Sequence, residues 1–189
     1  FQKRFPLADI YCFEPNPNVF EKLTQNYVND KNIHPVQKGM ADQSGELFFN
    51  LNSNTGTSSF LTPTKYHKTH QAKHQLDPVR VPVITIDEFS LEEHIDHIDI
   101  LKLDIEGYEL KALQGAEKLL GTQNIDIIFT EICILRQYEK QVLFHELTAF
   151  LESKNYYLYN VDSFCGQETP IRQAVISNAV YISSNFRKI

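Results

Sequence analysis

Carboxylates crowd one short stretch of this chain. In LKLDIEGYE, residues 101 to 109, Lys102, Asp104, Glu106 and Glu109 gather at the end of an otherwise apolar run. Charge at such a place is costly unless it is used, and Gly107 would permit a close backbone approach. Asp104 should leave its strand at the carboxyl edge, where α/β sheets bind their ligands. Glu106 lies on the turn into a helix, and both it and Glu109 have a second reading as partners for the positive end of that helix. Glu131 stands near the end of another apolar run, IDIIFTEI. If the two runs are neighbouring parallel strands, Asp104 and Glu131 reach one edge together, and two carboxylates there suit proton abstraction or a divalent cation. Neither phrase contains cysteine or histidine, so magnesium or calcium would be the ion rather than zinc. A site without metal is the expectation. For Glu131 the alternative is a buried acid satisfied by backbone donors.

Two further acids suit a nucleoside ligand. Glu14 closes IYCFE, and Asn16 with Pro17 then forms an N-cap and first helical position. A carboxylate there can accept from both vicinal ribose hydroxyls, the alternative being an ordinary exposed glutamate. Asp42, in KGMADQSG, could accept from an adenine amino group, or could simply share a turn with Ser44 and Gly45. His67, His70 and His74 share a face if TKYHKTHQAKH is helical, with Lys65, Lys68 and Lys73 around them. Three histidines so spaced could hold a metal, but the polarity of the stretch favours a solvated basic rim that meets an anionic substrate.

The elements that must position these groups alternate. Strand-length apolar runs occur at 9–13, 33–37, 98–103 and 125–132. Val19, Phe20, Leu23 and Tyr27 give the first helix an apolar face; Leu110, Leu113, Ala116, Leu119 and Leu120 form the inward stripe of the next, with Gly121 at its stop. A third helix is expected near 139–154, then the strand YYLYNV and a final strand NAVYI, 178–182, antiparallel to it. This order predicts an α/β, Rossmann-like, mostly parallel sheet with helices on both faces and an antiparallel last strand. GELFFNL, the polar stretch 52–78 and RVPVITIDEF interrupt the alternation. They are expected to form an insertion over the active-site edge at about 45–89, with 52–78 its most mobile part.

With 189 residues and 42% apolar content the chain can form one core, so residues 1–189 are read as a single domain. The net charge of −6, with no long basic stretch, argues against nucleic acid as a partner. No apolar run approaches membrane-spanning length, and FQKRFPLADIY lacks the apolar core of a secretory signal. Cys12, Cys133 and Cys165 show no paired spacing, which fits a reducing, cytoplasmic setting. Cys12 and Cys133 lie in apolar runs and read as inert buried thiols.

CFEPNPNVFEKLTQN, GMADQSGELFF, TIDEF and above all IDILKLDIEGYELKALQGAEKLL resemble, in order and spacing, the FkbM-type S-adenosylmethionine-dependent methyltransferases. The resemblance covers about residues 8 to 160. It implies a class I methyltransferase sheet, S-adenosyl-L-methionine as methyl donor, and a hydroxyl on a sugar, glycan or natural product as acceptor. It would place Glu14 and Asn16 at the donor's ribose, Met40, Ala41 and Asp42 by the adenine, and Asp104 and Glu106 at the reaction edge. Asp104 is expected to be required for turnover, with Glu131 cooperating. The family's opening strand and glycine-rich turn, of the DxGANxG kind, have no counterpart before Ala8; FQKRFPL reads as the tail of the helix after that turn. These residues by themselves are therefore expected to bind the donor poorly. The other functions considered are a degenerate nucleoside- or partner-binding domain without turnover and, further off, a nicotinamide-dependent oxidoreductase.

Overall fold

The apolar runs form strands because their β-branched and aromatic side chains suit a pleated surface covered on both sides. The computed structural model describes residues 2–70, 74–162, 165–166 and 174–187. It begins with β1 (Ile10–Phe13), α1 (Pro17–Tyr27) and β2 (Ile33–Val36). Next come β3 (Gly39–Met40), β4 (Gly45–Phe49), α2 (Lys65–His70), β5 (Val79–Ile84) and α3 (Ile86–Glu92). The third stretch holds β6 (Ile98–Leu103), α4 (Glu109–Gln114), α5 (Glu117–Gly121), β7 (Ile125–Cys133) and α6 (Phe144–Ser153). The chain closes with β8 (Tyr156–Val161), β9 (Cys165–Gly166), β10 (Ala174–Ser183) and α7 (Ser184–Arg187).

β1 and β2 pair in parallel, Ile10 opposite Ile33, and so do β6 and β7, with Leu103 opposite Thr130. β10 is antiparallel to both β7 and β8, so the last strand sits between them. β5 joins β3 in parallel and β4 antiparallel. Among the described residues β1 pairs only with β2 and β6 only with β7, yet Tyr11 and Phe13 of β1 pack on the same core as Leu103, Leu113, Leu120 and Ile128. Removing each such leucine or isoleucine from water contributes about 1.5–3 kcal/mol before entropic costs.

Three local differences from the sequence reading have clear causes. The expected single helix over 110–120 is broken into α4 and α5 at Gly115. A Cβ there would lie 2.1 Å from the Ala41 carbonyl oxygen, so backbone approaches backbone. Asp87 then caps α5 across the chain, accepting from Lys118 N at 2.8 Å and Leu119 N at 3.1 Å. The helix expected from 139 starts only at Phe144, because 134–143 is tied into a loop by Gln141, whose Oε1 accepts from Gln137 N and Tyr138 N. Finally, Ile84, Ile86 and Phe89, within the 45–89 stretch read as an insertion, pack into the main core. From between β4 and β5, Ser59 reaches the turn after β6 by a hydrogen bond to the Glu106 carbonyl. Residues 71–73 of that stretch, and any reading of their mobility, lie outside the described residues.

Candidate active site

β6 ends at Leu103, and the chain then turns sharply through Glu106 and Gly107, both at positive φ (55° and 93°). A non-glycine residue in the left-handed region costs on the order of 1 kcal/mol. Two contacts hold it there. Ser59 donates from Oγ to the Glu106 carbonyl at 2.7 Å, and the buried Glu109 carboxylate accepts from Ile105 N at 3.1 Å and Gly107 N at 3.2 Å. Glu109 thus takes the structural role that the sequence offered to either glutamate. Its neighbour Glu106 has its side chain free for another partner: Tyr138 donates to Glu106 Oε2 at 2.8 Å.

The parallel register brings the residue after Leu103 to the level of Glu131, so Asp104, Glu106 and Glu131 meet at one edge. Their surroundings differ. Asp104 is exposed and ion-paired with Lys102 at 2.8 Å. Burial raises the Glu106 carboxyl to about 7, the Tyr138 hydroxyl pulling it down while Asp104 and Glu109 push it up. Burial raises Glu131 further, to about 8, with Glu106, Glu109 and Asp104 adding repulsion against a smaller pull from Lys102. Carboxyls that hold protons near neutrality are suited to proton transfer in a way that exposed ones are not. A narrow crevice lined by Glu109, Glu131, Gln141 and Phe144 opens beside them.

On the nucleoside side, Glu14 follows β1 and accepts from Asn16 N at 2.7 Å through Oε1; burial raises its carboxyl. Asn16 is the N-cap of α1, accepting from Asn18 N at 3.1 Å, with Pro17 in the first turn. Asp42 lies beyond β3 and receives Lys111 Nζ at 2.6 Å. Met40 and Ala41 are buried, Met40 in the main core and Ala41 N bonded to the Ile84 carbonyl, so their side chains face the protein.

The histidine rim is corrected. His67 is fully buried: its Nδ1 stands 3.0 Å from Gln137 Oε1, and its ring packs on Tyr138 at 4.6 Å. The cause is tertiary, since the loop 134–143 covers that face of α2. His74 is exposed, and the side chain of His70 lies outside the described residues. Sequence reasoning therefore placed His67 on a solvated face and missed Ser59, Gln137, Tyr138 and Gln141, none of which stands in an acidic or apolar motif. It also missed His97, Asp99 and Asp126, whose ligating atoms come within 4.8 Å of one another at the opposite ends of β6 and β7, where His97 and Asp99 are exposed. Cys133 is buried with its thiol pushed up to about 12 by burial, which makes it a poor nucleophile.

An α/β sheet with a carboxylate-bearing edge after its parallel strands is the arrangement of class I methyltransferases. Methyltransferase FkbM from Methylobacillus flagellatus KT has a crystal structure that matches 93% of this chain with a TM-score of 0.52, at 16% identity and over 36% of that chain. That likeness establishes the fold. The methyltransferase FkbM domain matches residues 1–158, and the chain belongs to this family. Hexuronic acid methyltransferase AglP of Haloferax volcanii is 27% identical over 128 residues, covering 66% of this chain and 47% of that protein. 2-O-methyltransferase NoeI of Sinorhizobium fredii is 22% identical over 155 residues, covering 78% of this chain and 63% of that protein. The chain spans about half to two thirds of the length of these relatives. Among the described residues no helix is long and apolar enough to cross a membrane.

Proposed function

We propose that the chain transfers the methyl group of S-adenosylmethionine to a hydroxyl of a sugar, glycan or natural product, and that Glu131 removes the hydroxyl proton. One observation carries this: Glu106 and Glu131 stand at one strand-end edge, where burial raises both carboxyls well above the usual carboxylate range. Bound at this edge, the donor supplies a methyl already activated by its positive sulfur, so the protein has chiefly to orient two reactants and accept a proton. The acceptor oxygen bonds to the methyl carbon as the carbon–sulfur bond breaks, the hydroxyl proton passes to Glu131, and a neutral thioether leaves. Glu106, the more acidic of the two, ionises first, and its charge then strengthens Glu131 as a base. Asp104, exposed at the same edge, anchors the acceptor. Glu14 suits the donor's ribose because Asn16 N occupies only one of its oxygens. Asp42 is neutralised by Lys111 and can accept only weakly from an adenine.

Two measurements bear on this reading. The rate of methyl transfer should rise with pH and level off above about 8, because only the ionised Glu131 accepts a proton. In the same series Asp104→Asn should raise KM more than it lowers kcat. A flat rate from about pH 6 to 9 would remove Glu131 from proton transfer. In a chain that binds S-adenosylhomocysteine measurably, Glu14→Ala should weaken binding by about 1.5–3 kcal/mol, the worth of charge-assisted hydrogen bonds. Unchanged calorimetric affinity would take Glu14 out of the donor site.

A carboxylate acceptor is the second reading, because a hexuronic acid offers a carboxylate as well as hydroxyls and the relative AglP is named for one. Such an acceptor is already ionised and needs no base. The raised pair would then have no task, and the product would be an alkali-labile ester instead of an alkali-stable ether.

A further inference from the structure

His67 is a buried titratable side chain that the proposed chemistry leaves unused. It sits on α2, between β4 and β5, and its surroundings lead directly to the reaction edge. With its proton on Nδ1 the ring donates to Gln137 Oε1 at 3.0 Å, and its face packs on Tyr138. The other ring nitrogen, Nε2, is buried without a hydrogen-bond partner among the described residues. An interior that leaves a polar atom bare is held together by something else, and here that is the contact with residues 137 and 138. Gln137 N and Tyr138 N both donate to Gln141 Oε1, at 2.7 and 3.2 Å, so the backbone that carries the two side chains His67 touches is pinned at one point. Backbone bonds continue the seam, from Thr64 N to the Gln137 carbonyl and from Glu139 N to the Thr62 carbonyl, each 2.8 Å.

The seam ends on the carboxylates. The Tyr138 hydroxyl stands 2.8 Å from Glu106 Oε2 and 3.1 Å from the Thr57 carbonyl. It has a single proton, and an ionised carboxylate is the stronger acceptor. We propose that His67 is a positioning residue for the reaction edge: docked on Gln137 and Tyr138, it holds the Tyr138 hydroxyl on Glu106 and so makes Glu106, not Glu131, the member of the pair that keeps its negative charge. The charge fixed on Glu106 then raises the proton affinity of Glu131, which is the property a base for a hydroxyl acceptor needs. The segment between β4 and β5 thus sets the protonation order of two acids carried by the main sheet. The catalytic meaning of this order rests on the methyl-transfer reading; the order itself does not.

The test is carbon-13 NMR of the glutamate carboxyls in the full protein across a pH series. Lys102, Asp104, Glu109 and Tyr138 also act on the pair and are left unchanged in every His67 variant. In the wild type Glu106 should ionise before Glu131. His67→Phe keeps an aromatic ring against Tyr138 but removes the nitrogen donor; it should raise the proton affinity of Glu106 about tenfold, toward or past that of Glu131. Tyr138→Phe, which removes the hydroxyl itself, should move Glu106 in the same direction. His67→Asn, which restores a donor near Nδ1, should bring back the wild-type order. A folded His67→Phe protein with both midpoints unmoved would overturn the proposal. Nitrogen-15 spectra of the wild type give a check that needs no variant: the ring should be neutral and protonated on Nδ1, and a ring protonated on Nε2 or titrating freely would equally overturn it. Moved midpoints with unaltered turnover would uphold the positioning role and remove the pair from catalysis, whereas unmoved midpoints would leave the base assignment standing.

Discussion

Glu131→Gln is expected to lower kcat for methyl transfer by about 10²–10⁴-fold, the usual contribution of a general base. KM should change little, because the substitution keeps the shape of the side chain. The same variant should be more stable than the wild type in alkali. Burial lifts the Glu131 carboxyl to about 8, well above the usual carboxylate range, so the folded protein favours the protonated form. The stability that this group contributes is complete below the unfolded carboxylate range and is lost as pH rises through about 8. Glutamine carries no charge to bury, so denaturation midpoints of variant and wild type should converge in acid, separate as pH rises from the usual carboxylate range to about 8, and stay apart above it in favour of the variant. Loss of activity together with a gain in alkaline stability would set Glu131 apart from a residue whose loss merely damages the fold. Equal midpoints throughout the alkaline range would mean that the acid is not held in the raised state described.

Gly115→Ala should be the most damaging single change away from the carboxylates. The added Cβ would meet the Ala41 carbonyl oxygen at 2.1 Å and the Ala112 carbonyl oxygen at 3.2 Å. Both are backbone atoms, so no side chain can rotate aside. Overpacking of this kind typically costs 1–3 kcal/mol, and the backbone clash places it at about 3 kcal/mol or more. That is a large fraction of the roughly 5–15 kcal/mol that holds a domain folded. Urea unfolding should show the midpoint falling sharply. The displaced segment after β3 holds Ala41 and Asp42, so donor binding should weaken with it. A midpoint within error of the wild type would show that α4 can slide away from β3 at little cost.

The strands and the acids at their ends were legible in the sequence because both are local signals. An apolar run such as IDILKL, followed at once by charge, can hardly be read otherwise, and Asn16 with Pro17 announces the helix that the structure starts there. The break at Gly115 was not legible. ALQGA continues the helical period, and only the approach of Ala41 from another part of the chain explains why glycine stands at that point. His67 shows the same limit from the other side. A polar, lysine-rich stretch with histidines three residues apart has the composition of a solvated face, and local composition cannot register that the 134–143 loop covers it. Tyr138 is informative only in space, where its hydroxyl meets Glu106 across a sequence separation of 32 residues. The sheet edge is therefore readable from the sequence, while the groups that tune it come from long-range packing.

The most direct test of methyl transfer by this edge uses S-adenosylmethionine labelled in its methyl group and a panel of hydroxyl-bearing sugars, including hexuronic acids, with wild-type protein and Glu131→Gln in parallel. The prediction is an alkali-stable methyl ether formed by the wild type, at a rate that rises toward a plateau above about pH 8, and its near-complete loss in Glu131→Gln. Wild-type turnover by Glu131→Gln, or label recovered only as an alkali-labile ester, would contradict the account.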